Sequence, residues 1–186
     1  MISTSTASAT LRWRTSAPTW VASRDLNGDG IDDLVTANKG QDNVSVLLSS
    51  GGGSFASHVE YAAGNGADAV VVDDFDVDGK RDLAVADFSS DVISILPGAS
   101  TAGTFTGCAN NTPSCEYIAG DGPVSLVTGA LNADTYPDLA VVDQNSGSVT
   151  ILLNAYVPPT PTFTPTPCTG TCPTPTPTCS GSCGGC

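Results

Sequence analysis

The sequence predicts an all-β fold of three four-stranded antiparallel units in a row, followed by an extended tail. Three observations carry that prediction. Three segments superpose at periods of 49 residues (Asp25 to Asp74) and 56 residues (Asp74 to Ala130), each long enough for one four-stranded unit. Every copy holds short apolar or alternating stretches separated by polar turns, which is how strands read. Nowhere does the chain sustain a helical period.

The units are taken as 17–65, 66–120 and 121–157, with an N-terminal segment 1–16 before them and a tail 158–186 after them. The first unit opens Ala17-Pro-Thr-Trp-Val-Ala-Ser-Arg-Asp-Leu-Asn27 and the second Gly66-Ala-Asp-Ala-Val-Val-Val-Asp-Asp-Phe-Asp76. The third runs Asp121-Gly-Pro-Val-Ser-Leu-Val-Thr-Gly-Ala-Leu-Asn132. After each Asp-rich loop comes an apolar strand, over 34–37, 83–86 and 139–142. A polar turn and an alternating strand follow, over 44–48, 92–96 and 149–153. Fourth strands are expected around 58–61 and 115–118. Asn38, Asp87 and Asp143 stand four residues after the Leu of each loop and read as turn residues.

Composition narrows the function. Lys and Arg total 6 against 19 Asp and Glu, for a net charge of −13. Nucleic acid is excluded as a partner, because phosphate binding needs a basic footprint. No apolar run approaches the roughly 20 residues of a membrane span. Met1 to Ala9 is Ser/Thr-rich, lacks a basic region followed by an apolar stretch, and is not a signal peptide. Either an export signal has been removed or the sequence begins inside a longer product. Seven cysteines point to disulfides and an oxidising compartment. Cys108 and Cys115 bracket a short polar loop and are placed to pair with each other. Cys168, Cys172, Cys179, Cys183 and Cys186 lie in the tail, where zinc is the weaker reading, since the spacing is irregular and no tail histidine is present.

The acid is concentrated: nine of the 19 acidic residues lie in 25–33 and 73–82. Carboxylates that close repel one another, which calls for a cation between them; the bland alternative is a solvated acidic turn. In the first loop Asp25, Asn27, Asp29 and Asp33 put side-chain oxygens at positions 1, 3, 5 and 9, with Gly30 for the sharp turn and the Ile31 carbonyl as a further donor. In the second, Asp74, Asp76, Asp78 and Asp82 repeat the scheme, with Lys80 supplying the carbonyl. Such alternation suits Ca2+, a hard cation that takes six to eight oxygens. An EF-hand opens alike but needs Glu at position 12 and flanking helices; here position 12 is Thr36 or Val85, inside a strand. The third loop has Ala130 and Thr135 at two of these positions and keeps Asn132, Asp134 and Asp138, so weak or absent calcium binding is expected there.

With their Asp-rich loop, the following Asp-Leu-Ala/Val-Val and the later Val-x-Val-Leu-Leu strand, these units resemble the FG-GAP/VCBS repeat family, the blades of integrin-α-like β-propellers. The resemblance covers about 17–157. It implies propeller-type blades, calcium between the first two strands of a blade, and use outside the cell or on its surface. It implies no single activity, because the family serves adhesion, lectins and enzyme-attached modules alike.

No catalytic constellation accompanies the loops, and the chain is not expected to be an enzyme. His58 is the sole histidine and reads as a surface or strand residue. Trp13, Trp20, Phe55 and Tyr61 fall on strand positions and read as packing, with a sugar platform as the lesser alternative. Asn43-Val-Ser45 and Asn110-Asn-Thr112 match the N-glycosylation pattern. The tail holds 8 of the 13 prolines, mostly alternating with Thr: a polyproline-type stalk that buries no core and offers O-glycan acceptors.

Three blades fall short of the four to eight that close a propeller. A strand at 10–13 stands before the first unit, whereas the third unit runs from Asn154 into Pro158 and Pro159, which stop a strand. An unpaired edge invites pairing. The expected partner is therefore another copy of the chain, its N-terminal strand completing the third unit in a fibre or surface layer. Two alternatives are a tight three-blade ring and a ligand-binding module, adhesive or lectin-like, of a larger surface protein.

Overall fold

The structure, a computed structural model, describes residues 17–108 and 115–155. They are all-β, built of antiparallel sheets. In the first sheet, β1 (Trp20–Arg24), β2 (Asp33–Asn38), β3 (Asn43–Leu47) and β6 (Val59–Ala62) follow one another in space, with a small hairpin of β4 (Ser49–Gly51) and β5 (Ser54–Phe55) before β6. The second sheet runs β7 (Ala67–Asp73), β8 (Asp82–Asp87), β9 (Val92–Leu96), β10 (Glu116–Ile118). The third holds β11 (Pro123–Gly129), β12 (Asp138–Asp143) and β13 (Ser148–Leu152).

The third sheet has three strands among the described residues, in line with a third unit that supplies no fourth strand of its own before Pro158 and Pro159. Past Leu152 the chain is tied to the second and third loops. Asn154 donates its backbone N–H to Asp138 (2.8 Å) and its side-chain amide to the Phe75 carbonyl (2.6 Å). Pro158 and Pro159, which have no N–H for a ladder, come soon after. The candidate strand at 10–13 and the tail lie outside the described residues.

Strand patterning explains the stacking. β8 carries apolar residues at successive positions and is buried along its whole length, as a strand covered on both faces must be, whereas β12 leaves Val142 exposed on its outer face. One face of β8 is Leu83 and Val85, the other Ala84 and Ala86, and all four are fully buried. Val35, Ala37, Val44 and Val46 of the first sheet meet Val70, Val72, Leu83, Val85 and Leu96 of the second in one core. Ala69, Ala84, Ala86 and Ile93 meet Leu126, Leu139 and Val141 of the third sheet in the other. Each inner sheet face is thus half of a two-sheet core.

The turns between second and third strands do more than reverse the chain. Asp42, Asp91 and Gly147 are equivalent, and all three have positive φ (54°, 57° and 64°). Glycine takes that conformation freely; Asp tolerates it where its short polar side chain has work to do. Asp42 accepts a hydrogen bond from Gly66 N (2.7 Å) and Asp91 one from Gly122 N (2.9 Å). Each of these turns thereby fastens the first strand of the next unit. In the third unit glycine stands there, with no carboxylate to offer.

Candidate metal centre

The loops joining the first two strands of each sheet are shaped by their own carboxylates. Asp25 accepts from Gly28 N (2.7 Å) and Gly30 N (2.8 Å), Asn27 from Asp29 N (2.8 Å) and Asp29 from Ile31 N (2.8 Å). In the second loop Asp74 accepts from Asp78 N (3.0 Å) and Gly79 N (2.9 Å), and Asp78 from Lys80 N (2.8 Å). The backbone N–H groups turn inward and hold the oxygens at close quarters. The Gly30 N–H is the leading cause that lowers the Asp25 carboxyl below its ordinary value.

Charge is denser in the second loop. Oxygens of Asp74, Asp76 and Asp78 lie within 4.8 Å of one another. Against them stands the Lys80 ammonium, in contact with Asp78; it lowers the Asp78 carboxyl and is itself raised. Three converging oxygens at that spacing fit a hard divalent cation, which would relieve their repulsion. In the first loop Asp25, Asn27 and Asp29 form the matching arc, with an amide in the middle. Ile31 and Lys80 enter through their N–H groups, bonded to Asp29 and Asp78.

Asp33 and Asp82, read from sequence as the position-9 ligands, also do something the sequence did not disclose. Both are buried, and each oxygen accepts a backbone N–H. Asp33 takes Leu26 N (2.9 Å) and Ser49 N (2.7 Å), while Asp82 takes Phe75 N (2.8 Å) and Gly98 N (2.7 Å). They stitch the start of the loop to the segment leaving the third strand. Burial, the first cause, raises the Asp82 carboxyl. Asp138 does the same for the third loop, taking Leu131 N (2.8 Å) and Asn154 N (2.8 Å). Since carboxylate oxygens have two lone pairs each, stitching leaves room for a cation.

The first and second loops differ at position 4. Gly28 has φ 81°; its counterpart Val77 sits at φ 58°, a genuine outlier for a β-branched residue. Val77 is exposed, so its side chain adds little packing. Val77→Gly is expected to stabilise the protein by about 1 kcal/mol through relief of that strain. The check is a denaturant midpoint; an unchanged or lower midpoint would contradict it.

Residues 25–85 match the FG-GAP-like repeat. The matched stretch runs from the first loop through the second and into β8, so it spans both Asp-rich loops and omits the degraded third. No curated protein matches the chain. Among solved structures it is similar to a chain in the crystal structure of BBS1N in complex with ARL6DN, soaked with lead, at 21% identity and a TM-score of 0.45. That similarity covers 75% of this chain and 41% of the other, so this chain spans less than half the length of that neighbour.

Other sequence expectations find their places. Cys108 and Cys115 form a disulfide, with Cα atoms 6.0 Å apart. His58 is an exposed residue just before β6, beside Glu60 (3.5 Å). Tyr61 packs edge-to-face on Phe105, with ring centroids 5.6 Å apart. Phe55 is half-buried and Trp20 exposed; Trp13 lies outside the described residues. Ser45 of the first glycosylation pattern is fully buried and donates nothing to solvent, while Asn43 accepts from Asn38; the second pattern lies outside the described residues.

Asn38, Asp87 and Asp143 are not exposed turn residues. All three are fully buried at the ends of β2, β8 and β12. Asn38 donates to Asn43 and Ser45 (both 2.8 Å), Asp87 accepts from Ser94 (2.6 Å), and Asp143 accepts from Thr150 (2.6 Å). The correction follows from the stacked sheets, which enclose the strand ends. The sequence signal was an equivalence: Gly64 and Gly120 recur in phase with Asp87 and Asp143. A Cβ on either glycine would lie 2.5 Å from the carboxylate of its partner.

Proposed function

We propose that the chain is an extracellular structural subunit, stiffened by calcium in its first two loops, which assembles head to tail into a fibre or surface layer. Its role in that reading is non-catalytic. The observation that carries it is the outward face of the third sheet. Val127, Val142, Val149 and Ile151 are 45–60% exposed there. Their counterparts in the second sheet, Val71, Ala86, Ile93 and Ile95, pack into the core shared with the third sheet. The same repeat position is thus buried in the second sheet, against the third, and bare in the third, the last sheet among the described residues. An apolar sheet face of that kind marks an interaction surface. The outer edge of β13 is open among the described residues as well, and β-strand complementation by residues 10–13 of the next copy would cover it.

Calcium would serve by locking the Asp25/Asn27/Asp29/Asp33 and Asp74/Asp76/Asp78/Asp82 loops, with the Ile31 and Lys80 carbonyls completing the sets. Binding to the folded state alone stabilises it by about 3 kcal/mol per site at a hundredfold excess over Kd. Chelation is therefore expected to lower the unfolding midpoint, and Asp76→Ala to remove the share of the second loop. A midpoint indifferent to calcium would sink the metal reading.

Assembly is tested by electron microscopy of the purified chain in calcium, beside a chelated sample and an Ile151→Lys variant. Filaments are expected in calcium, loosened by chelation and absent from the variant, which keeps its fold because residue 151 is half-exposed already. Discrete particles under every condition would overturn head-to-tail assembly.

A further inference from the structure

A groove of about 450 Å³ lies between the first and second units, beside both Asp-rich loops. It gathers Arg24, Lys80 and Arg81, half of the six cationic side chains in a chain of net charge −13. Among the described residues the Arg24 side chain has no hydrogen-bond or ion-pair partner, while its backbone lies in the β1–β2 ladder. Arg81 is held loosely, 3.8 Å from Asp73. Two acids share the lining, Asp25 and Asp32, so the three cations exceed the acids there by one; the Asp25 oxygens face loop N–H groups.

The groove has a constructed back wall, made by the turn that follows β9. At Gly98 that turn lies so near the second loop that a Cβ would meet the Arg81 carbonyl at 2.6 Å. At Gly103 it presses on the first unit, where a Cβ would meet Leu48 at 2.9 Å. An Asp82 hydrogen bond to Gly98 N pins one end of the segment, and the Cys108–Cys115 disulfide closes the other. Ser100 and Thr104 place hydroxyls on this wall, and Thr104 Oγ1, which donates to the Thr101 carbonyl (2.6 Å), keeps its acceptor lone pairs. No aromatic side chain lines it.

We propose that this groove binds an acidic polysaccharide, its uronate carboxylates pairing with Arg24 and Arg81 and its sugar hydroxyls with Ser100 and Thr104. Planar guanidinium forks match carboxylates in two parallel hydrogen bonds. The volume is in the range of small-ligand sites, and the open, polar lining suits a hydroxylated chain better than an apolar one. Among the described residues Lys39 is the one cation outside the groove, and the net charge of −13 disfavours the same ligand elsewhere on them.

The test titrates a hyaluronan tetrasaccharide into the full chain in calcium-containing buffer, read by NMR shifts of the arginine Nε–H signals and by calorimetry. Neutral maltotetraose and a tetraglutamate peptide serve as comparators. Hyaluronan is expected to move the Arg24 and Arg81 signals, to bind about tenfold more weakly to Arg24→Gln, and to weaken with added salt. Arg24 is exposed and unpaired, so the variant should keep the wild-type unfolding midpoint. Absence of a shift, unchanged affinity in Arg24→Gln, or equal binding of tetraglutamate would each overturn the proposal; the last would make the occupant an acidic peptide. The third sheet takes no part in this site, so the outcome is independent of assembly.

Discussion

At pH 8, Asp87→Asn is expected to be more stable than the wild-type protein by up to about 4 kcal/mol, and the gap should close toward pH 4. Asp87 is sealed in by the strand ends and by Gly64, and burial, the leading cause, pushes its carboxyl from 3.8 up to about 7. Ser94 and the Gly64 N–H pull it part of the way back, and Glu116 pushes it further up. One of its oxygens has no hydrogen-bond partner. Because the folded value lies above the unfolded one, the folded protein holds a proton that the unfolded chain has released between about pH 4 and 7. Stability from this group is complete below pH 4 and is lost as pH rises through 7. Asn keeps the shape without the charge, and the first unit already places Asn38 at the equivalent site. The amide lacks the second acceptor pair that Asn38 finds at Asn43, which trims the gain. Urea titrations of both proteins from pH 4 to 8 decide it. Parallel curves with a constant offset would mean that Asp87 is not the titrating group.

Much of the fold was legible because the chain contains its own alignment. Three strands of every unit fall where the repeat put them, and β3, β9 and β13 differ from the expected spans by at most one residue. The β4–β5 hairpin was missed, since it occurs in one unit and is built on Gly51, Gly52 and Gly53 rather than on apolar alternation. At the site, side-chain chemistry was legible but its division of labour was not. Periodicity marks Asp78 and Asp82 alike as acids in a loop. Only the register of β8 against β7 and β9 turns Asp82 into the sheet, where its partners are backbone groups 7 and 16 residues away. The buried ends of the central strands stayed hidden for a related reason. Asp after a strand ordinarily means a turn, and burial there comes from a neighbouring sheet that local sequence does not record.

The degraded third loop separates the two roles. It has lost two of the calcium-type positions, Ala130 and Thr135, yet it retains Asp138, which is fully buried and takes three backbone N–H groups, from Leu131, Asn132 (3.2 Å) and Asn154. A residue kept for metal alone would have no reason to stay where the set has gone. Asp138→Ala leaves those donors without an acceptor in a buried setting, at roughly 1–3 kcal/mol each. With partial rescue by water, a loss of about 3–5 kcal/mol is expected. Asp138→Ala should cost the same with and without calcium, because its loop contributes little to binding. Asp82→Ala should cost more in calcium than in chelator, since it removes the stitch and a member of the second set together. Equal calcium dependence in the two variants would make position 9 a stitch throughout and nothing more. A small loss in Asp138→Ala would mean instead that the third loop folds without it, and that its three hydrogen bonds are readily replaced by solvent.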